Sequence, residues 1–243
     1  MNILPLQIIA DADARIPNAV PTSKKLEWLT RLEARIRLEV KKIYDAYTLT
    51  VTTDKPYLLP VSEEQIELVF FNGHPVPKID LRSAQGLQAG EYRFLCRSLP
   101  EPLADRVVTD AHITFTADSL TFSKPHPFVE GDLIGITETA DNNVTATVVA
   151  VDGVTLQTDY ADFTEGEQSA TVCNVNDRPM EIPAQHPCFG MYEEYLCMEL
   201  ARHLADTERF RLAEAAFNAL WEEYARLYRQ TAPQTPLLRV RGV

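Results

Sequence analysis

The chain has 243 residues, 45% hydrophobic and 24% charged, with a formal net charge of −12, the composition of an ordinary globular protein. No apolar run approaches the roughly 20 residues that a membrane-spanning helix needs. The charge is segregated: residues 1–44 carry eight basic against five acidic side chains, residues 45–187 eight against 22, and residues 188–243 seven against eight. So acidic a middle repels a phosphate backbone at close range and argues against tight nucleic-acid binding there.

The first ten residues lack a basic stretch and run directly into Asp11 and Asp13, unlike a secretory signal. Residues 4–15 predict a short helix ended by Ile16-Pro17-Asn18, with Thr22 or Ser23 capping the next. From Lys24 to Tyr44 the apolar positions Leu26, Leu29, Leu32, Ile36, Val40 and Ile43 follow steps of three and four, one stripe of a long helix. Its exposed positions are expected to be strongly basic: Lys24, Lys25, Arg31, Arg35, Arg37, Lys41 and Lys42, against Glu27, Glu33 and Glu39.

After Tyr44 the period changes to two. Residues 48–52 read as a strand. Residues 67–71 and 76–80, joined through Asn72-Gly73, read as a hairpin, because Asn-Gly suits a type I′ turn. Further strands are expected over 92–97 and 106–115. From about residue 112 to 177 short runs at 112–116, 119–122, 132–137, 144–151, 154–158 and 170–175 alternate with Gly- and Asp-containing turns. That punctuation predicts a small antiparallel barrel or sandwich. Residues 180–187 form a proline-rich return linker.

Met191 to Gln230 predicts two helices joined at Asp206-Thr207, an N-cap signal. The first carries Tyr192, Leu196, Leu200 and Leu204. The second carries Phe210, Ala213, Phe217, Leu220, Tyr224 and Leu227 on one stripe, an expected core face. So short a connection makes the helices antiparallel neighbours, and the 24–44 helix is the expected third surface. Beyond Pro233 and Pro236, Leu237–Val243 is an extended tail. The fold class is therefore α+β: residues 1–45 and 186–243 form a helical bundle, into which residues 46–185 insert as an acidic antiparallel β lobe.

No phosphate-binding loop, GxGxxG, HExxH or GxSxG motif occurs, so no catalytic residue and no cofactor is assigned. His186, Cys188, Cys197 and His203 offer ligand atoms for zinc, but the spacing does not favour one tetrahedral point, and no metal is expected. The four cysteines show no CxxC pairing and are expected as free thiols of a reducing cytoplasm. Asp11 and Asp13, two apart on a helix, read as a solvated face. His74 and His126 precede prolines and read as turn-shaping. Tyr92, Tyr160 and Phe163 beside several aspartates leave open a glycan- or host-surface-binding lobe.

The run Ile8-Ile-Ala-x-x-Asp13, Pro17-Asn18, then Leu26-x-Trp28-Leu29-x-x-Leu32-Glu33-x-x-Ile36-x-x-Glu39-Val40 resembles the first long helix of tailed-bacteriophage head–tail connector (adaptor) proteins. Met191-Tyr-Glu-Glu-Tyr195-Leu196 and Phe210-x6-Phe217-Asn218-x2-Trp221-x2-Tyr224 are similar to their closing hairpin. Together these segments cover some ninety residues. Cys197 and Met198 depart from the small residues expected there, and Ala205-Asp206-Thr207-Glu208 lacks the usual Asn or Gly. Phe115-Thr-Ala-Asp118, Pro125-His-Pro-Phe128, Gly131-Asp132 and Asn142-Asn143-x-Thr145-Ala146 look like a small β module of phage tail-region proteins.

The resemblance implies a structural, non-catalytic virion protein at the head–tail junction, made in the bacterial cytoplasm. Its partners would be the portal and tail-completion or stopper proteins. It would form a homo-oligomeric ring, monomeric alone in some cases, past which DNA moves without being gripped, and no membrane is involved. A closed ring needs head-to-tail contacts. Lys24, Arg31, Arg35, Arg37 and Lys41 are then candidates for meeting the acidic lobe of a neighbour, and Arg239 and Arg241 for docking the tail on a partner ring.

Overall fold

A computed structural model describes residues 4–52, 65–76 and 89–231, and the backbone of 238–240. The chain is mixed α+β, with four α-helices among the described residues, a closed six-stranded antiparallel barrel and a separate five-stranded sheet. The helices are α1 (Leu4–Arg15), α2 (Thr22–Arg35), α3 (Met191–His203) and α4 (Thr207–Thr231). Two compact units emerge: Met1–Glu33 with Glu101–Tyr224, and Ala34–Pro100 with Ala225–Val243. These boundaries fall inside α2 and α4, whereas the sequence pattern places them near residues 45 and 185.

In the first unit the strands are β5 (Val107–Phe115), β6 (Ser119–Thr121), β7 (Leu133–Thr137), β8 (Thr145–Asp152), β9 (Thr155–Thr158) and β10 (Gly166–Asn174). They close in the order β10-β5-β6-β9-β8-β7. β10 completes the ring by pairing with β5 on one side and β7 on the other, which removes every open edge. Alternate residues point inward, so Ile113, Phe115, Leu120, Ile134, Ile136, Val148, Leu156 and Val172 fill the interior. Tyr160 packs on Phe163, and Phe163 on Phe115. Phe163 is barrel core with Tyr160 half-buried against it, and Tyr92 is core of the five-stranded sheet in the other unit, so none of the three forms an exposed aromatic platform.

The helices of this unit are joined by side chains remote in sequence. α1 runs against α3, and Arg15 reaches Glu193 and Glu194, each at 2.8 Å. α2 meets α3 through Trp28, edge-on to His203 at 6.4 Å. Asp206 accepts from the Arg209 N–H at 3.0 Å, the expected N-cap of α4. On α4 only Ala213, Phe217 and Tyr224 are buried; Phe210, Leu220 and Leu227 are half-buried, so the stripe is not a continuous core face.

Glu33 of α2 is fully buried. It accepts hydrogen bonds from the Tyr192 hydroxyl at 3.0 Å and the Glu181 N–H at 2.7 Å, and lies 2.5 Å from the Arg178 guanidinium. Lys25, also buried, pairs with Asp13 at 2.7 Å. The expectation of solvated positions for Lys25, Glu33 and Asp13 is corrected: their partners come from elsewhere in the chain, where a single helical wheel cannot show them.

In the second unit, the expected 24–44 helix does not continue as one α-helix. α2 ends at Arg35 and is followed by a π-helical turn, Ile36–Lys41, closed by Lys42 at φ 49°. The sheet contains β1 (Tyr44–Val51), β2 (Ile66–Phe71), β3 (His74–Val76), β4 (Gly90–Arg97) and β11 (Leu238–Val240), in the order β11-β1-β4-β2-β3. Asn72 and Gly73 both take positive φ, 46° and 85°, as a type I′ hairpin turn requires. His74 and Pro75 lie in β3 opposite Phe71 and Phe70, not in a loop; β3 is an edge strand, where proline costs no ladder bond. Expected strand residues 77–80 lie outside the described residues. The tail is extended at 238–240 and pairs parallel with Tyr44–Ala46.

Candidate functional site

The seven expected interface cations have different surroundings. Lys24 is exposed and bonds Glu27 at 2.7 Å, and the exposed Arg31 pairs with the same carboxylate. The Lys24 hydrogen bond, with Arg31 beside it, holds the Glu27 carboxyl below its usual range. Arg35 faces Glu39 at 3.1 Å. Such exposed helix pairs contribute only a few tenths of a kcal/mol, but they reduce the net positive charge of the surface. Arg37 is a correction: it is buried, donating to the Leu99 carbonyl at 2.8 Å and to Ser98 at 3.4 Å, acceptors that lie more than 60 residues away in sequence. Lys41 is half-buried at the end of that turn. Arg239 stands opposite Asp45 in the β11–β1 register, and Arg241 lies outside the described residues.

The groups weighed as metal ligands serve packing. The His186 ring accepts from the Cys188 N–H at 3.1 Å and stands edge-on to Tyr224. Burial pushes the Cys197 thiol up to about 11, and does the same for Cys96 and Cys173; all four cysteines are buried. Among the described residues no group of three or more His, Cys, Asp or Glu side chains is arranged to hold a metal. His126 sits between Phe122 (4.8 Å) and Phe128 (5.7 Å) with both ring nitrogens buried and without a hydrogen bond. Burial lowers its basicity.

What the sequence pattern missed is a polar cleft of about 590 Å³ in the first unit, within the size range of ligand sites. One wall is the α1–α2 connection: Asp13, Asn18 to Thr22, and Lys25. The other is the end of the β7–β8 hairpin: Ile136 to Thr139, and Asn143 to Thr145.

Both walls are pre-formed. Asn18 donates to Asp13 and to the Ile16 carbonyl, each at 2.8 Å, and accepts from the Val20 N–H at 2.9 Å. Across the cleft, Asn142, buried below the hairpin, exchanges two hydrogen bonds with the Thr164 backbone at 2.9 and 2.7 Å. The Asn143 side chain accepts from the Thr139 N–H at 3.1 Å and donates to the Thr139 carbonyl at 2.9 Å.

Glu138 takes a positive φ of 61°, unusual for a residue with a side chain, and the Thr171 hydroxyl donates to its Oε2 at 2.5 Å. The lining therefore holds two carboxylates and one ammonium, with hydroxyls and two amides but no aromatic ring. Asp13 already neutralises Lys25, which leaves the rim carboxylate of Glu138 as the uncompensated charge. Such a surface suits a cation or a hydrogen-bonding segment. Against protein-family models and against curated proteins, the chain finds no match.

Proposed function

We propose that this chain is a structural subunit of a tailed-phage head–tail junction, an adaptor that docks under the portal and carries the DNA channel toward the tail. The observation that supports this reading is the joining of the two segments that resemble connector proteins. Residues 8–33 and 191–224 are more than 150 residues apart in sequence, yet Arg15 bonds Glu193 and Glu194 and Glu33 bonds Tyr192. On this reading the helical base is built from both ends of the chain, and the β elements are an insertion between them.

In this proposal the protein works without cofactor or catalytic residue, its partners are the portal and the next tail protein, and DNA passes without being gripped. The exposed cations Lys24 and Arg31 are the best placed of the expected interface residues; Arg37 is withdrawn from that set by its burial. Of the rings weighed for the glycan-binding alternative, Tyr92 and Phe163 are buried and Tyr160 is half-buried. The test is co-sedimentation of the purified chain with the portal ring of a tailed phage or prophage that encodes the chain. A stoichiometric complex, with the chain ring-shaped beneath the portal by electron microscopy, is the expected result. A chain that stays in the unbound fraction at micromolar concentrations of both would refute the proposal.

A further inference from the structure

Between Val107 and Asn174 the barrel carries eleven Asp and Glu residues and a single Lys or Arg, Lys124. That lone cation is not placed to neutralise its own surface. It is exposed and, among the described residues, has no acidic partner. The segment presenting it, Ser123-Lys-Pro-His-Pro127, is held rigid. Ser123 is fixed through its N–H and hydroxyl to Asp110 at 2.8 and 2.7 Å. His126 is inserted between Phe122 and Phe128. The Pro127 carbonyl accepts from Arg106 at 3.3 Å. Two prolines restrict the backbone further. A cation presented this way loses little conformational freedom on binding.

The polar cleft has the complementary character. Its rim carboxylate, Glu138, has one oxygen engaged by Thr171. At its side the Lys25 ammonium, with 4% of its side chain exposed, spends one donor on Asp13. An ammonium has three donors, so two remain for an acceptor in the cleft. A proline-framed segment supplies both needs: main-chain carbonyls for Lys25 and a cation for Glu138. A saccharide would leave the carboxylate uncompensated and finds no ring to stack on.

We infer that the cleft of one copy receives the Ser123–Pro127 segment of a second copy, with Lys124 meeting Glu138. The inferred contact rests on the ring-forming reading proposed above, since it joins two different surfaces of one chain, the head-to-tail type of contact that generates rings or filaments.

The test uses the full chain. Lys124→Glu and Glu138→Lys are each compared with wild type and with the double exchange by sedimentation over a concentration series, with the portal present and absent. Each single change is expected to weaken self-association about tenfold or more, and the double exchange to recover most of it.

A Lys124→Cys/Thr139→Cys variant is expected to give reducible oligomer ladders under mild oxidation; every native cysteine is buried. Circular dichroism checks that each variant is folded. Self-association unaltered by either charge reversal, or a Cys pair that never cross-links between chains, overturns the contact. If the chain docks on the portal while both of those results are negative, the adaptor reading stands and this contact alone falls. If cross-linked oligomers form but never engage the portal, the contact stands and the adaptor reading falls.

Discussion

Replacement of Glu33 is expected to be among the most destabilising single changes in the first unit. The carboxylate is fully buried and links three segments: α2, the return segment through Arg178 and Glu181, and α3 through Tyr192. Its Oε1 accepts two hydrogen bonds, from Tyr192 and from the Glu181 N–H. Its Oε2 lies 2.5 Å from the Arg178 Nη2, yet both of those atoms lack hydrogen-bond geometry. The Arg178 contribution is therefore mainly coulombic, and the Tyr192 and Glu181 bonds are directional. The Tyr192 phenol in turn accepts from the Ile182 N–H at 3.1 Å, and burial, followed by the Glu33 charge, raises its ionisation well above the usual range.

Glu33→Ala leaves a guanidinium, with 13% of its side chain exposed, without its counter-charge, and removing one partner of a buried ion pair costs about 3–5 kcal/mol. The Tyr192 hydroxyl and Glu181 N–H also lose their acceptor, but these losses overlap with the first and are not added in full. Because Arg178 also donates to the Glu101 carbonyl at 2.7 Å, about 3–4 kcal/mol is the expected total. Glu33→Gln keeps an acceptor and removes the charge, for about 2 kcal/mol.

The assay is urea denaturation followed by tryptophan fluorescence, since both tryptophans, Trp28 and Trp221, lie in helices of this unit. A Glu33→Ala/Arg178→Ala double variant less destabilised than the sum of the singles is the signature of coupling. Destabilisation below about 0.5 kcal/mol for Glu33→Ala, a value typical of surface substitutions, would refute the reasoning. Equal effects of Ala and Gln would refute the hydrogen-bond part of it.

Asn142→Ala removes the pair of hydrogen bonds that fastens the cleft hairpin to Thr164. A loss of about 2–3 kcal/mol is expected from two backbone groups left unsatisfied, read as a shift in the denaturation midpoint, with faster amide exchange confined to residues near 139–143 and 164. Gly90→Ala would place a Cβ 2.4 Å from the Phe71 ring, at a φ of 155°, and that ring is packed on Tyr92; about 1–3 kcal/mol of overpacking is expected, seen as lost exchange protection in β2 and β4. His126, whose burial depresses its pKa, takes up a proton more readily in the unfolded chain, so its contribution to stability is present above about pH 6.5 and is lost as pH falls. His112 has the opposite sign: its hydrogen bond to Glu167 raises its pKa, so its contribution is present below about pH 6.5 and is lost as pH rises through the raised value. Being fully exposed, His112 is also weakened by salt. Denaturation midpoints of wild type and His126→Phe, measured from about pH 5 to 8, are expected to converge on the alkaline side and diverge on the acid side; parallel curves would contradict the assignment.

Much of this fold is legible in local sequence because local chemistry determines it. Asn72-Gly73 specifies its turn, Asp206 its cap, and the short β-branched runs between Asp- and Gly-bearing turns mark the barrel strands within two residues at most ends. What local sequence does not show are decisions made by distant partners. On a helical wheel Lys25, Glu33 and Arg37 fall on the apolar stripe of Leu26, Leu29, Leu32 and Ile36, opposite Lys24, Glu27 and Arg35, but the wheel does not name the partners that make their burial possible. The first three are buried because Asp13, the Arg178–Tyr192 pair and the Leu99 carbonyl await them, and the last three pair within one turn of their own helix. The π-turn after Arg35 has no cue in composition. The cleft was hidden for the same reason. Its walls come from residues 13–25 and 136–145, and each reads alone as an ordinary turn. The basic character of the 24–44 stretch is therefore a poor guide to an interface, because part of that charge is spent inside the protein. Within the acidic barrel the one Lys or Arg is Lys124, exposed, without an acidic partner among the described residues, and held outward by a braced loop. A search for contact surfaces should start where charge is left unspent rather than where it is most abundant.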